Sequence, residues 1–263
     1  MEKILDEYIR SETISRSPLH PKQFAYQPAK STTHALQSLV RDIEKILVTK
    51  EVALCAFLDI EGAFDNTSYE PIQTAAQNKS IDPVSISWIK AMLHSRKISA
   101  SIGDTTISVS AIKGCPQGGV LSPLLWSLVV DRLLDELTAK GYEIQGYADD
   151  LVITIRGKHD GIISARMQSA LTLVRNWCLA EGLNVNPNKT IVVPFTKRRK
   201  VNLTSRTLNG ITIALSNKVR YLGVILDQRL NGNSPIERTI HKATSALWCA
   251  EDCLVKHGDL DPI

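Results

Sequence analysis

The sequence predicts an α+β fold. Helical apolar stripes and strand-length apolar runs follow one another without strict alternation, which argues against a doubly wound parallel sheet. The chain has 263 residues, enough to bury a continuous core. Its composition, 43% apolar and 22% charged, excludes a disordered or low-complexity chain.

The elements read in order as follows. The N-terminal stretch MEKILDEYIR is charged and helix-like rather than the apolar run of a signal peptide. Thr33 to Val48 carries apolar residues at 36, 39, 40, 43, 46 and 47, a helical stripe. Glu51 to Asp59 is an apolar run of strand length that ends on an acid. Tyr69 to His94 reads as one or two helices broken near Asp82-Pro83. Lys97 to Ile112, rich in Ile, Ser, Thr and Val with Gly103-Asp104 at its middle, reads as a hairpin.

The loop Lys113 to Gly119 precedes an apolar helix from Leu121 to Leu137, with Pro123 in the first turn, where a missing N–H costs nothing. Tyr142 to Tyr147 and Leu151 to Ile155 are expected strands joined by Asp149-Asp150. Ile163, Met167, Leu171, Val174 and Trp177 mark another helix. Strands are expected near Ile191 to Phe195, Thr207 to Ile213 and Arg220 to Leu226, and a last helix after the turn Asn231 to Pro235.

Lys plus Arg number 31 and Asp plus Glu 27, so the net charge is +4. That excess permits a polyanionic partner without requiring one. Aromatic residues are 5%, against a module that binds single strands mainly by stacking. Five scattered cysteines, an odd number, do not make a disulfide framework. The longest apolar stretch, Leu124 to Val130, is too short to cross a bilayer. The expectation is a soluble intracellular protein with no membrane partner.

Two acidic motifs lie beside apolar sequence. Asp59 ends a strand in DIEGAFD, and Asp149-Asp150 falls between two strands in GYADDLVIT. Carboxylates in such surroundings are costly to desolvate without a positive partner. Two strand ends bearing Asp, set side by side, would hold the cation pair that in-line phosphoryl transfer uses, with Mg²⁺ suited to oxygen ligands and retained waters. Singly, each motif has a plainer reading: Asp-Asp is common in turns, and Asp59 could cap a following helix.

The order of motifs separates these readings. AFLDIEGAFD, GCPQGGVLSPLLW, GYADDLVI, GLNVNPNKT and VRYLGVILD, in that succession, closely resemble the catalytic core of reverse transcriptases, in the wording of non-LTR (LINE-type) retrotransposons. The resemblance runs from about Pro21 to Asp227. It implies a right-hand polymerase palm, an antiparallel sheet with helices on one face, with partial, N-terminally truncated fingers over residues 1–230 and the start of a thumb over 231–263. The implied activity is RNA-directed DNA polymerase: dNTPs added to a DNA primer on an RNA template with two Mg²⁺ ions, or Mn²⁺ in their place.

Carried over residue by residue, the resemblance makes Asp59 and Asp149 metal-binding aspartates, with the Ile60 carbonyl an extra ligand and Asp150 in a lesser role. Phe64 falls where the family keeps a ring beneath the incoming sugar, which a 2′-hydroxyl would strike. Gln117 and Gly118 are the expected contacts to nucleotide and template base, in a loop with three glycines in six residues, 114 to 119. Lys189 approaches the triphosphate and is placed to protonate pyrophosphate. Tyr221, Leu222 and Gly223 match the primer grip. The segment QFAYQPAKSTTHAL departs from the pattern, since related sequences often carry Arg near Gln27 and Gly at Ala29; Lys30 is the residue left to supply the lost charge.

The basic run Lys197 to Lys200 is a solvated loop unless the fold aims it at a phosphate backbone. Cys249, Cys253 and His257 recur along one expected helix over about 12 Å, too spread for one zinc. The resemblance further implies a piece of a longer polyprotein whose missing fingers, thumb and endonuclease regions lie elsewhere, weak or inactive alone, and nuclear during element integration. The competing readings are a non-catalytic retroelement remnant and another reverse transcriptase, such as the group II intron type.

Overall fold

The computed structural model describes residues 1–230. Helix α1 (Glu2–Ile9) runs into a π-helical turn at Arg10–Ile14, and α2 (Thr32–Val48) follows after a loop. The Ser31 side chain caps α2 by accepting from the His34 N–H. Strand β1 (Val52–Glu61) leads to the short α3 (Ala63–Asn66), then α4 (Tyr69–Asn78) and α5 (Pro83–His94). The break between α4 and α5 has the expected chemistry: the Asp82 carboxylate accepts from Ser85 N–H at 2.9 Å, with Pro83 in the first turn. The hairpin of β2 (Lys97–Ile102) and β3 (Thr105–Ser110) precedes α6 (Ser122–Ala139).

Then come β4 (Glu143–Tyr147), β5 (Asp150–Gly157), α7 (Asp160–Ala180), β6 (Asn184–Val185) and β7 (Ile191–Phe195). The described chain ends with β8 (Thr207–Leu208), β9 (Ile211–Thr212), β10 (Ala214–Leu215), β11 (Lys218–Tyr221) and β12 (Val224–Asp227). The helix expected after Asn231 to Pro235, and the Cys249, Cys253 and His257 stripe, lie outside the described residues.

The class is α+β, as expected, with a six-stranded sheet in the order β10-β7-β1-β5-β4 and β6 pairing the end of β1. Every pairing in it is antiparallel except β10 with β7. Three expectations need revision. Asp150 is the first residue of β5, so the turn is Ala148-Asp149 rather than Asp149-Asp150. The runs at Thr207 to Ile213 and Arg220 to Leu226 are not single strands but hairpins, turning at Asn209-Gly210 and Leu222-Gly223, both pairs at positive φ. Strand β6 has only two residues, too few for any periodicity to reveal.

The period-two alternation of β1 explains the layering. Val52, Leu54, Ala56, Leu58 and Ile60 pack with α4, α6 and α7 in the larger core. Ala53, Cys55 and Phe57 face the other way, into a smaller core with α2 and the β11–β12 hairpin. Helix α6 is apolar almost all round and buried accordingly. Cys55, Cys115 and Cys178 are free and buried, and burial pushes each thiol up to about 12. Among the described residues no helix is long and apolar enough to cross a membrane.

Candidate active site

The second face of β1 is apolar from Ala53 to Phe57 and turns acidic at Asp59. Asp59 stands opposite Asp150 in the β1–β5 ladder, so both side chains project from that same face. Facing residues have Cβ atoms about 4.5–5.5 Å apart, and like charges so placed repel. The carboxyl of Asp150 is accordingly pushed up to about 6, first by burial, then by Asp149 and Asp59, with Lys189 opposing.

Asp149 occupies the turn between β4 and β5. Its carbonyl accepts from Ile60 N–H at 3.4 Å, which ties the turn to the end of β1. Ala148, beside it, holds φ +55, a left-handed conformation that costs an L-residue about 1–2 kcal/mol. The Trp126 indole N–H donates to the Ala148 carbonyl at 3.0 Å and holds the turn there.

Lys189 arrives from the other side. The Asn186 side chain accepts from the N–H groups of Asn188 and Lys189, shaping the loop as an Asx turn, while Asn186 N–H donates to the Asp59 carbonyl. This sets Lys189 Nζ 3.3 Å from Asp59 Oδ2. The Lys189 side chain is 66% exposed, so the ion pair is worth little to stability; its value is placement.

Phe64, in α3, packs edge-on to Tyr26 at 6.3 Å between ring centres and tilted to Trp126 at 6.1 Å. Gln117 donates to Asp65 Oδ2 at 2.9 Å. Gly118, at φ +81, has open space where a side chain would be. Tyr221 is buried, its hydroxyl accepts from Gln145 Nε2 at 3.2 Å, and its ring lies 5.4 Å from that of Phe57. Burial raises its phenol well above the usual range. Leu222, at φ +47, is a bulky residue in a turn where glycine is usual, packed against the smaller core.

Lys30 is engaged locally: Nζ donates to the carbonyls of Pro21 and Gln23, both at 2.8 Å, and lies 5.4 Å from the Phe24 ring centre. Ala29, where related sequences carry glycine, indeed sits at φ +58. In the basic run, Arg198 pairs with Asp160 at 3.0 Å.

Residues the sequence reading passed over are Tyr26, Asp65, Arg96 and Trp126. Tyr26 is 42% exposed, and burial together with Asp149 and Tyr147 raises its phenol. An exposed ring amid the motif QFAY was the available signal. Among the described residues no group of three or more His, Cys, Asp or Glu side chains is placed to hold a metal ion as it stands. The site is two facing carboxylates with a third in the adjoining turn. This all-oxygen donor set fits a hard divalent cation better than zinc.

Comparison with known proteins shows the family to which the chain belongs. The family model described as reverse transcriptase (RNA-dependent DNA polymerase) matches residues 1–226. The RNA-directed DNA polymerase from mobile element jockey of Drosophila funebris is 29% identical over 234 residues, 86% of this chain and 25% of that protein. A Pol polyprotein from the type-1 retrotransposable element R1 of Bradysia coprophila is 28% identical over 233 residues, 88% of this chain and 22% of its own. Apo telomerase from Candida tropicalis, truncated from its C-terminal domain, shares the fold with TM-score 0.58 at 11% identity, over 86% of this chain and 42% of that one. The chain thus spans about a quarter of the length of the curated relatives it matches. It belongs to the reverse transcriptase (RNA-dependent DNA polymerase) family, its motifs resembling the non-LTR retrotransposon branch.

Proposed function

We propose that the chain is the catalytic core of an RNA-directed DNA polymerase, adding deoxynucleotides to a DNA primer 3′-hydroxyl on an RNA template. The observation that carries the reading is the facing pair Asp59 and Asp150, with Asp149 in the adjoining turn and Lys189 Nζ 3.3 Å from Asp59. Reverse transcriptases generally use divalent metal ions. Here Asp59, Asp149, Asp150 and the Ile60 carbonyl would hold two Mg²⁺, or Mn²⁺ in their place. When bound, such a pair supplies activation of the attacking hydroxyl and charge stabilisation for the departing pyrophosphate.

The remaining work falls to the chain's own groups. Phe64, wedged between Tyr26 and Trp126, is the plate under the incoming sugar and excludes a 2′-hydroxyl. Gln117 and Gly118 line the nucleotide and its template base, the glycine leaving room for close approach. Lys189 gives a proton to the departing pyrophosphate, and its exposed ammonium is free to leave Asp59 as charge builds elsewhere. Tyr221, Leu222 and Gly223 hold the primer end from a hairpin stiffened by the buried phenol. Lys30 acts on the triphosphate only after releasing two carbonyls, which makes it the weakest member of the set.

In this reading residues 1–230 are fingers and palm and residues 231–263 begin a thumb. Regions of a longer polyprotein complete the cleft walls and supply an endonuclease, so the 263-residue chain alone is weak or inactive. Entry to the nucleus during integration is part of the same family-based reading.

Primer extension on an RNA template tests it, with the chain alone and within the longer polyprotein. Extension abolished by Asp149→Ala supports the assignment. Absence of extension in both forms would overturn it in favour of a non-catalytic remnant, and processive synthesis by the isolated chain would overturn its dependence on the missing regions.

A further inference from the structure

The loop that carries Gln117 and Gly118 has no ladder of its own. Its entry is pinned on one side by N–H groups: Gly114 donates to the Thr67 carbonyl at 2.7 Å and Cys115 to the Phe64 carbonyl at 2.6 Å. Gly114 holds φ +82, and a Cβ there would lie 2.6 Å from the Asp65 carbonyl oxygen, so the loop lies flush against α3. Its exit is pinned by Gly119 N–H and the Ser122 hydroxyl, both donating to the Pro116 carbonyl. Between these anchors Gln117 and Gly118 are exposed, placed by the anchors and by the Gln117 hydrogen bond to Asp65 Oδ2.

The carbonyl side of the entry is held by Arg96, just past the end of α5, together with Tyr69, whose hydroxyl lies 3.4 Å from the Lys113 carbonyl. Arg96 Nη2 lies 2.5 Å from the Gly114 carbonyl and 2.9 Å from that of Lys113. The same nitrogen lies 3.0 Å from the Tyr69 hydroxyl, which itself donates to the Ala111 carbonyl at 3.1 Å. The guanidinium lies over the Tyr69 ring, 5.9 Å from its centre. Arg96 also accepts Ala111 N–H on its own carbonyl, which closes the base of the β2–β3 hairpin. One nitrogen with two N–H groups serves the carbonyl and hydroxyl contacts, and the planar guanidinium that carries it also lies over the Tyr69 ring, a stacking that a lysine ammonium does not reproduce.

We infer that Arg96 is a positioning residue for nucleotide selection: its hold on the Lys113 and Gly114 carbonyls sets where Gln117 and Gly118 present themselves beside Phe64. The inference rests on the polymerase reading for its consequence, but the buckle itself can be tested separately. In the full chain, Arg96→Lys and Arg96→Ala should speed hydrogen exchange at the Gly114 and Cys115 amides by about tenfold while the β1 and β5 amides keep their protection. In primer extension, Arg96→Lys should raise KM for dNTP by about tenfold with kcat and primer–template affinity nearly unchanged. Tyr69→Phe should shift both readouts the same way and by less.

Unchanged exchange at Gly114 and Cys115 in both arginine variants overturns the inference, whether or not the protein polymerises. A fall in kcat and melting temperature with KM untouched would make Arg96 a purely structural residue and overturn it as well. If the wild type extends no primer either alone or within the longer polyprotein, the polymerase reading falls while the exchange measurement still decides the buckle. Should Arg96→Ala fail to fold, Arg96→Lys, which keeps the charge, carries the test.

Discussion

Asp59 and Asp150 face each other across adjacent strands of the sheet, two carboxylates in register at the end of a β1 face that is apolar from Ala53 to Phe57. A fold optimised for stability would not place like charges opposite each other, since such a pair costs about 0.2–1 kcal/mol relative to neutral residues. In the proposed function, bound cations would relieve that repulsion. In chelator, Asp150→Asn should therefore raise stability by about 0.5–1 kcal/mol while lowering primer extension less than Asp149→Ala does. Urea unfolding checks the first half. Addition of Mg²⁺ should stabilise the wild-type protein and leave Asp59→Asn unaffected.

Two glycines of the same loop separate crowding from strain. Gly114 and Gly118 hold nearly the same φ, +82 and +81, yet only Gly114 has backbone against it. Gly118→Ala should cost about 1–2 kcal/mol, the penalty for a left-handed L-residue alone. Gly114→Ala adds a collision with the Asp65 carbonyl and should cost more than Gly118→Ala by about 1–3 kcal/mol. Paired denaturant titrations give the difference directly, and equal losses would mean that the loop does not rest on α3.

Trp126 contributes a hydrogen bond as well as a ring. Trp126→Phe keeps much of the packing around α6 but leaves the Ala148 carbonyl without its indole donor. Stability should fall by about 1–2 kcal/mol, and the affinity of the site for Mn²⁺ should weaken as the Ala148-Asp149 turn relaxes. Calorimetric titration measures the second effect.

His20 gives the fold an acid-sensitive point away from the acids of the site. Its Nδ1 accepts from Lys22 N–H at 3.2 Å, its Nε2 lies 3.0 Å from the Thr138 hydroxyl, and its ring is buried. Burial lowers its pKa below 6.5, with Lys30 and Lys22 assisting and Asp135 and Asp131 opposing. A base held neutral in the fold takes up fewer protons than in the unfolded chain. The stability it contributes is thus complete above about pH 6.5 and is lost as pH falls through its lowered value. The difference between wild type and His20→Gln in thermal melts from pH 7.5 to 5 should carry this slope, since Asp150, raised to about 6, titrates with the opposite sign in both proteins.

Sequence alone determined the elements with a clear period and the residues whose chemistry is unusual in any context. The α2 stripe, the Asp82-Pro83 break, the Gly103-Asp104 hairpin and the acids of DIEGAFD and GYADD were legible because hydrophobic alternation, capping and turn chemistry are local. Tertiary structure decided what lies between distant segments. The opposition of Asp59 to Asp150 depends on strand register, a pairing over 91 residues of chain that no local pattern encodes. The placement of Lys189 on Asp59 depends on an Asx turn docked to the end of β1. The buckle of Arg96 joins the end of one helix to a loop beyond a hairpin, and its signal is two carbonyls, which carry no side-chain identity. Local preferences are written in residue types; register and backbone contacts emerge only when the core closes and selects one pairing among many.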